Sequence, residues 1–371
     1  MKINKILSRY SVIVIMMLLY CSNASATITT HSEQIVKKYP VTRESNVYIT
    51  NKYGKVHVSN WNKDSVIIEI SLMIRSSNSA RVYKLKDNIS FDFVKTKYNI
   101  TASTLFGGPY NSIFSDLKNL AETFVSTENQ VTIDYYIKAP EWINLNIDHK
   151  YGDVFIDDAS GDLNITLSNG QLKANKLNGN TVLNLSSGDA DIYFLKDGKI
   201  ISNYLDLTVK NADKIDITSK SCNINLYDVK YCKINSRRDK YYITSVEKAY
   251  GDSYFSDIIL TELNQEVSLD MKYGNITIDK ISRKFSLINL GSEYTDISII
   301  FERNMTYNFD MTHYNDISFV YPKEISKLQE KLVDQETNEY FVYGTIGTDT
   351  EPNAKVNIKA YKKCYIRIEH K

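Results

Sequence analysis

The chain is short of the residues that pin a fold covalently or break it. Among 371 residues it has four cysteines, five prolines and two tryptophans. Three cysteines, Cys222, Cys232 and Cys364, lie beyond the N-terminal segment. Three thiols in so long a chain make no disulfide framework. No CxxC pair or Cys/His spacing suggests zinc. Charge of one sign is also missing, with 45 Lys and Arg against 44 Asp and Glu. That balance offers no electrostatic case for binding nucleic acid or an anionic lipid surface. H-E-x-x-H, G-x-S-x-G and phosphate-loop patterns are absent. No motif of established catalytic or metal-binding spacing is therefore present, and no cofactor is implied.

One apolar run stands out, at the N-terminus. Lys2, Lys5 and Arg9 precede Val12 to Tyr20, and Ala24-Ser25-Ala26 follows. This is the pattern of an export signal cleaved after Ala26, and the run is too short to span a bilayer. Lipidation at Cys21 is the rival, but Tyr20 stands where a small residue is needed. The mature chain would start at Thr27 and carry no transmembrane span. The expected location is the periplasm or the outer-membrane or cell surface.

Glycine is scarce, yet six of the fourteen fall at an even pace. Gly152, Gly161, Gly170, Gly179, Gly188 and Gly198 are nine, nine, nine, nine and ten residues apart. Between them apolar residues alternate: Val154, Ile156; Leu163, Ile165, Leu167; Leu172, Ala174; Leu183, Leu185; Ala190, Ile192, Phe194. Period two belongs to a strand with one buried face. Ser-Gly, Asn-Gly and Asp-Gly close the segments as tight corners. Such a unit fits either an antiparallel meander or a coil turning steadily in one direction.

A longer motif favours the coil. Aromatic-Gly-x-Φ-x-Φ (Φ apolar) recurs as NKYGKVHV from Asn51, HKYGDVFI from His149, KAYGDSYF from Lys248 and MKYGNITI from Met271. Degenerate copies follow from Ser292 and Thr312. Copies from Gly251 onward are about twice the nine-residue unit apart, so one repeat holds two strands and two corners. Self-similarity of this kind marks stacked-repeat folds. The expected fold is all-β, a β-solenoid of two-strand coils of about 18–23 residues, with two short accessory helices. SCNINL from Ser221 and KCYIRI from Lys363 put cysteine where glycine stands elsewhere. All three cysteines share the inward phase, as buried small hydrophobes. Asparagine, abundant here, suits corners and ladders between stacked strands.

Two segments interrupt the repeat. Asn111 to Thr127 places Ile113, Phe114, Leu117, Leu120 and Phe124 on one helical face. Lys323 to Gln335 follows Pro322 and carries Ile325, Leu328 and Leu332 at helical spacing. The organisation read from this is a signal peptide (1–26), an N-terminal β module (27–101), a helical insertion (102–130) and a main β-solenoid (131–371) with a helical excursion at about 323–335.

These residues carry a resemblance. VYITNKYGKVHVSNW (Val47 to Trp61), VTIDYYIKAPEWINLNIDHKYGDVFI (Val131 to Ile156), GDLNITLSNGQLKANKL and the closing YGTIGTDTEPNAKVNIKAYKKCYIRI resemble an exported bacterial β-strand-repeat family labelled "putative adhesin", a domain of unknown function. The resemblance implies a β-helix-like solenoid in the cell envelope. The export signal, the even repeat and the lack of catalytic constellations point to a non-catalytic binding or scaffold role.

The candidate binding ladder is the recurring tyrosines Tyr53, Tyr151, Tyr250, Tyr273, Tyr294 and Tyr314. A row of rings could take sugars, or could pack coil upon coil, and packing alone requires one ring per repeat. The partner class is a glycan or an envelope or surface protein. The alternatives are a periplasmic structural component with no external ligand and a polysaccharide-active enzyme, a lyase or hydrolase, on the same scaffold. The enzyme's one nominated cluster is Arg237, Arg238, Asp239 and Lys240, a run that otherwise reads as a solvated turn.

Overall fold

A computed structural model describes residues 28–107, 125–126, 129–348 and 352–371. The export signal and Cys21 lie outside these residues, as does most of the segment Asn111 to Thr127, whose Val125–Ser126 is strand. Among the described residues the protein is all-β apart from one α-helix and one 3₁₀ turn. The strands are β1 (Thr29–Pro40), β2 (Asn46–Lys52), β3 (Val56–Asn60), β4 (Ser65–Ser76), β5 (Ile89–Lys95), β6 (Asn99–Phe106), β7 (Val125–Ser126), β8 (Asn129–Ala139), β9 (Asn144–Lys150) and β10 (Val154–Ile156). Three long runs follow, β11 (Leu163–Lys220), β12 (Asn223–Arg237) and β13 (Lys240–Ile281). The rest are β14 (Leu287–Phe301), β15 (Tyr307–His313), β16 (Ser318–Val320), β17 (Ser326–Asp334), β18 (Glu339–Ile346), β19 (Lys355–Lys362) and β20 (Tyr365–His370).

The chain divides into two compact units. Among the described residues the smaller draws on 28–33, 72–90, 106–107, 125–126 and 129–132 and contains the helix α1 (Ser79–Asp87). Asn78 caps it, its side-chain oxygen accepting from the amides of Ala80 and Arg81. Lys84 and Lys86 sit in its last turn, where positive charge suits the carbonyl end. Only Val82 and Leu85 are buried, and two apolar positions leave too faint a helical period to read in advance.

The larger unit draws on residues 34–71, 91–105 and 133–371. Its long strands pair in parallel with a short sequence offset. Leu163 faces Leu145 and Leu172 faces Val154, both 18 residues apart. Asp206 faces Asn223, which faces Lys240, at 17, and Glu266 faces Leu287 at 21. A meander would instead pair neighbouring segments antiparallel. Nine residues is therefore half of the repeat, with a corner at each half.

Steric exclusion explains the glycines. A Cβ on Gly170 would stand 1.8 Å from the carbonyl oxygen of Gly152, and one on Gly152 would stand 1.6 Å from that of Gly54. The residue just before Gly152, Gly170 and Gly188 takes the left-handed turn: φ is 59° at Tyr151, 57° at Asn169 and 56° at Ser187. Outside glycine that region costs about 1–2 kcal/mol per residue, so stacking must over-determine it.

Inside, the alternating residues fill the core. Val154, Ile156, Leu163, Ile165, Leu167, Leu172, Ala174, Leu183, Leu185, Ala190 and Ile192 are all buried. Phe194 is the exception. It is half-buried and Leu195 takes the core position, because the phase shifts by one residue before the next corner. Cys222, Cys232 and Cys364 are buried and free, and burial pushes the Cys232 thiol up to about 12. Asparagines form the expected ladders. Asn164 donates to Asn146 at 3.1 Å, and Asn144 to Asn46 at 3.1 Å.

Stacking order departs from chain order at two places. β2 lies between β6 and β9, and β3 between β8 and β10. Near the C-terminus β19 inserts between β14 and β15, and β20 between β14 and β16.

The helix expected at Lys323 to Gln335 is not formed. Lys323–Ile325 is a single 3₁₀ turn, and Ser326–Asp334 is the strand β17, antiparallel to β18. Here pairing overrides periodicity. Gln329 accepts from the Tyr343 hydroxyl at 2.8 Å, and the Lys331 ammonium lies 5.4 Å from the Phe341 ring. A helix would forfeit these contacts and the ladder with β18.

His149 ends the inward row of β9 and is fully buried. Its Nδ1 lies 3.2 Å from the Asn51 carbonyl and its Nε2 2.9 Å from the Gly54 carbonyl. Burial holds the imidazole below its ordinary pKa, against the opposing pull of both carbonyls and of Asp153 and Asp148. The folded chain thus keeps this ring neutral where the unfolded chain protonates it, below about pH 6.5. Stability is expected to fall as pH drops below that value, because the unfolded state then binds more protons. Urea midpoints at pH 7.5 and 5.5 check this. His149→Asn, which matches Asn51 one coil away, should reduce the difference, leaving the smaller part that half-buried His370, also lowered by burial, supplies. An unchanged slope would contradict it.

Candidate functional site

Left-handed corners form one column through the larger unit: Tyr53, Tyr151, Asn169, Ser187, Tyr204, Ser221, Arg238, Phe255, Tyr273 and Tyr294. Tyr53 stacks on Tyr151 with ring centroids 5.4 Å apart and planes 8° off parallel. Tyr273 is sandwiched by Phe255 at 4.6 Å and Tyr294 at 5.0 Å, with planes 6° and 4° off parallel. Both faces of Tyr273 are thus covered by neighbouring rings, and Tyr53 is only 7% exposed. A sugar stacks on a free aromatic face, and Tyr53 and Tyr273 offer none, while Tyr151 and Tyr204 in the same column are exposed.

Two of the six tyrosines stand elsewhere. Tyr250 lies mid-strand opposite Lys233, with its ring 5.4 Å from Tyr231 and its hydroxyl on Glu266, which also holds the Lys248 ammonium at 2.9 Å. Burial and the Glu266 carboxylate push this phenol up to about 12. The corner of that repeat is Phe255, five residues on. Gly251 belongs to a close approach, since a Cβ there would stand 1.8 Å from the Ile234 carbonyl oxygen. Tyr314 donates its hydroxyl to Glu339 at 3.2 Å.

The charged cluster at Arg237 to Lys240 also resolves into parts. Arg237, Arg238 and Lys240 point to solvent. Asp239 is 2% exposed and occupies the position after the corner, where Gly152, Gly170 and Gly188 stand in other coils. Its carboxylate accepts from the hydroxyls of Ser219 and Ser236, both at 2.7 Å, and from the amides of Arg237 and Cys222, both at 2.8 Å. Four donors saturate it. An acid so enclosed is an internal corner brace without access to a substrate. Among the described residues no group of three or more His, Cys, Asp or Glu is placed to hold a metal ion.

An open groove lies on the outer face of the strand that follows the corner. It measures about 440 Å³, within the range of ligand sites. Parallel register builds it. Val154–Ile156 aligns with Val56–Val58 on one side and with Leu172–Ala174 on the other. The outward residues His57, Phe155 and Lys173 therefore share one column, and Asp157 and Asn175 share the next. Asp191 and Tyr193 continue these two columns into the following coil and also line the groove. His57 meets Phe155 edge to face at 5.8 Å. The side chains of Lys173, Asp191 and Tyr193 make no hydrogen bond or ion pair among the described residues, and Tyr193 is 53% exposed. An aromatic floor beside unpartnered donors and acceptors is the composition of a binding site. Sequence reading missed it. Its signal was present in the motif, where His57 and Phe155 fill the outward position between the two apolar residues of Tyr-Gly-x-Φ-x-Φ.

No family model matches the chain, and no curated protein matches it. Solved structures do. One from Parabacteroides distasonis, described as a putative adhesin, is 13% identical over 72% of this chain and 97% of its own, with a TM-score of 0.38. The likeness is to the family that the motifs resemble. A second so described, from Parabacteroides merdae, is 12% identical over 72% and 96%, with a TM-score of 0.32. A third, from Parabacteroides distasonis, described as a putative lipid binding protein, is 9% identical over 72% and 96%, at 0.29. Overlap at these scores is loose.

Proposed function

We propose that the protein is an exported, non-catalytic β-solenoid that binds a partner at the cell envelope or surface through the outer face of its coils. The groove carries this reading: the side chains of Lys173, Asp191 and Tyr193 project from adjacent coils beside the Phe155 ring and have no hydrogen-bond or ionic partner among the described residues. Desolvating unpaired polar groups beside an apolar ring is productive when a ligand supplies the missing bonds. The basic-apolar-small pattern of residues 1–26 supports export. The enzymatic alternative loses its nominated acid, because Asp239 is enclosed by its own chain.

Cell fractionation with protease shaving, and the mature N-terminus read by mass spectrometry, tests the reading. The expected result is a chain beginning at Thr27 in the envelope or outside the cell. An unprocessed chain in the cytoplasm would overturn it.

A further inference from the structure

We infer that the groove beside Phe155 takes a neutral, extended, β-linked polysaccharide laid across the coils. This deepens the binding reading above and rests on it. The backbone of the groove floor is already used: Val154–Ile156 is paired on both sides, with β3 and β11. A peptide cannot add as a strand there, so the ligand is read by side chains alone.

Those side chains suit a sugar. The Phe155 ring offers an apolar face to the C–H side of a pyranose, and Tyr193 offers a second, more exposed ring. Lys173 and Asp191 lie between them with a donor and an acceptor that no described residue occupies, the pair that adjacent hydroxyls satisfy together. Charge in the groove is balanced, Asp157 and Asp191 against Lys173 and Lys210. An acidic polymer would gain no net attraction. A lipid chain would have to bury those charges without pairing them.

Geometry sets the orientation. Strands in the ladder are about 4.8 Å apart, and residues rise about 3.3 Å along each. Phe155 and Tyr193 are two coils and one outward position apart, hence on the order of 10–12 Å. That separation spans two to three sugars of an extended β-1,4-linked chain, each of which advances by close to one strand spacing. Such a chain running across the strands meets a fresh coil with each sugar.

Calorimetric titration of the mature chain with cellohexaose and chitohexaose, and with hexagalacturonate as the acidic comparator, tests this. The expected result is saturable binding of a neutral oligomer and at least tenfold weaker binding of the acidic one. Phe155→Ala and Tyr193→Ala should each weaken the neutral oligomer at least tenfold. Tyr242→Ala, an exposed ring outside the groove, should leave it unchanged. Tyr193 is more than half exposed, so its variant keeps the test valid if Phe155→Ala fails to fold. Equal binding of the acidic oligomer, or no binding of either neutral one, overturns the ligand class. If the chain still binds whole envelope polysaccharide in the latter case and Tyr193→Ala abolishes that binding, the groove itself stands. Neutral-oligomer binding that survives both variants overturns the groove.

Discussion

Replacing Asp239 by alanine is expected to destabilise the fold by about 2–6 kcal/mol, since two backbone amides lose their acceptor at about 1–3 kcal/mol each. The substitution also reorients two serines. The Ser219 hydroxyl keeps Tyr241 at 2.7 Å and the Ser236 hydroxyl keeps Ser256 at 2.8 Å, so the serines are partly rescued. The amides of Cys222 and Arg237 are not. Asp239→Asn should fall between, because it retains an acceptor. Arg238 beside it is exposed with φ at 60°. Arg238→Gly should therefore stabilise by about 1 kcal/mol, as strain is relieved. Urea denaturation separates these outcomes. An Asp239→Ala variant within about 0.5 kcal/mol of the parent, the range of ordinary surface changes, would show that the carboxylate is not a brace.

Deleting residues 355–371 should have the other large effect. β19 and β20 are inner members of the stack. Removing them leaves both halves of β14 unpaired on one side, its other side staying on β13, and leaves β15 and β16 without their parallel partners. Val356, Ile358, Ile366 and Ile368 leave the core with them. At about 1.5–3 kcal/mol each, their loss rivals the whole stability of an ordinary domain. The expected result is proteolysis of the region from β14 onward and loss of the cooperative thermal transition. A truncated chain that melts like the parent would mean that the segment is peripheral.

Much of this architecture was legible because two periods coincide in one stretch. Nine residues between glycines and two between apolar residues define corner and strand together, and the buried set followed down to Ile192. The inward cysteines were legible for the same reason. The departures have physical causes. Phe194 lost its place to Leu195 because corners absorb single-residue slips that alternation cannot record. Tyr250 looked like a corner because glycine follows it, yet Gly251 serves a close approach and Phe255 makes the turn. β17 looked helical because Ile325, Leu328 and Leu332 satisfy that spacing, but its partner strand β18 lies beyond the window such a pattern sees. The insertion of β19 between β14 and β15 could not be read at all, since a repeat pattern gives the unit and not the order of stacking. The groove follows the same logic. Its residues are scattered from His57 to Tyr193 and meet only once the register is known.

That register underlies the corner column, the enclosed acid and the groove alike. Cross-linking measures it directly. Asn146 and Asn164 are register partners on the outer face, 18 residues apart in the chain, and far from the buried native thiols in sequence. Parallel neighbours at about 4.8 Å lie within the Cα separation that a disulfide bridges. In a meander of nine-residue strands the same two positions would be two strands apart, about 10 Å, beyond that reach. Asn146→Cys with Asn164→Cys, oxidised and mapped by mass spectrometry, is expected to give one intrachain disulfide in a chain that keeps the parent's melting transition. A pair that stays reduced, or that bridges only when the chain is unfolded, would contradict the stacked-coil account.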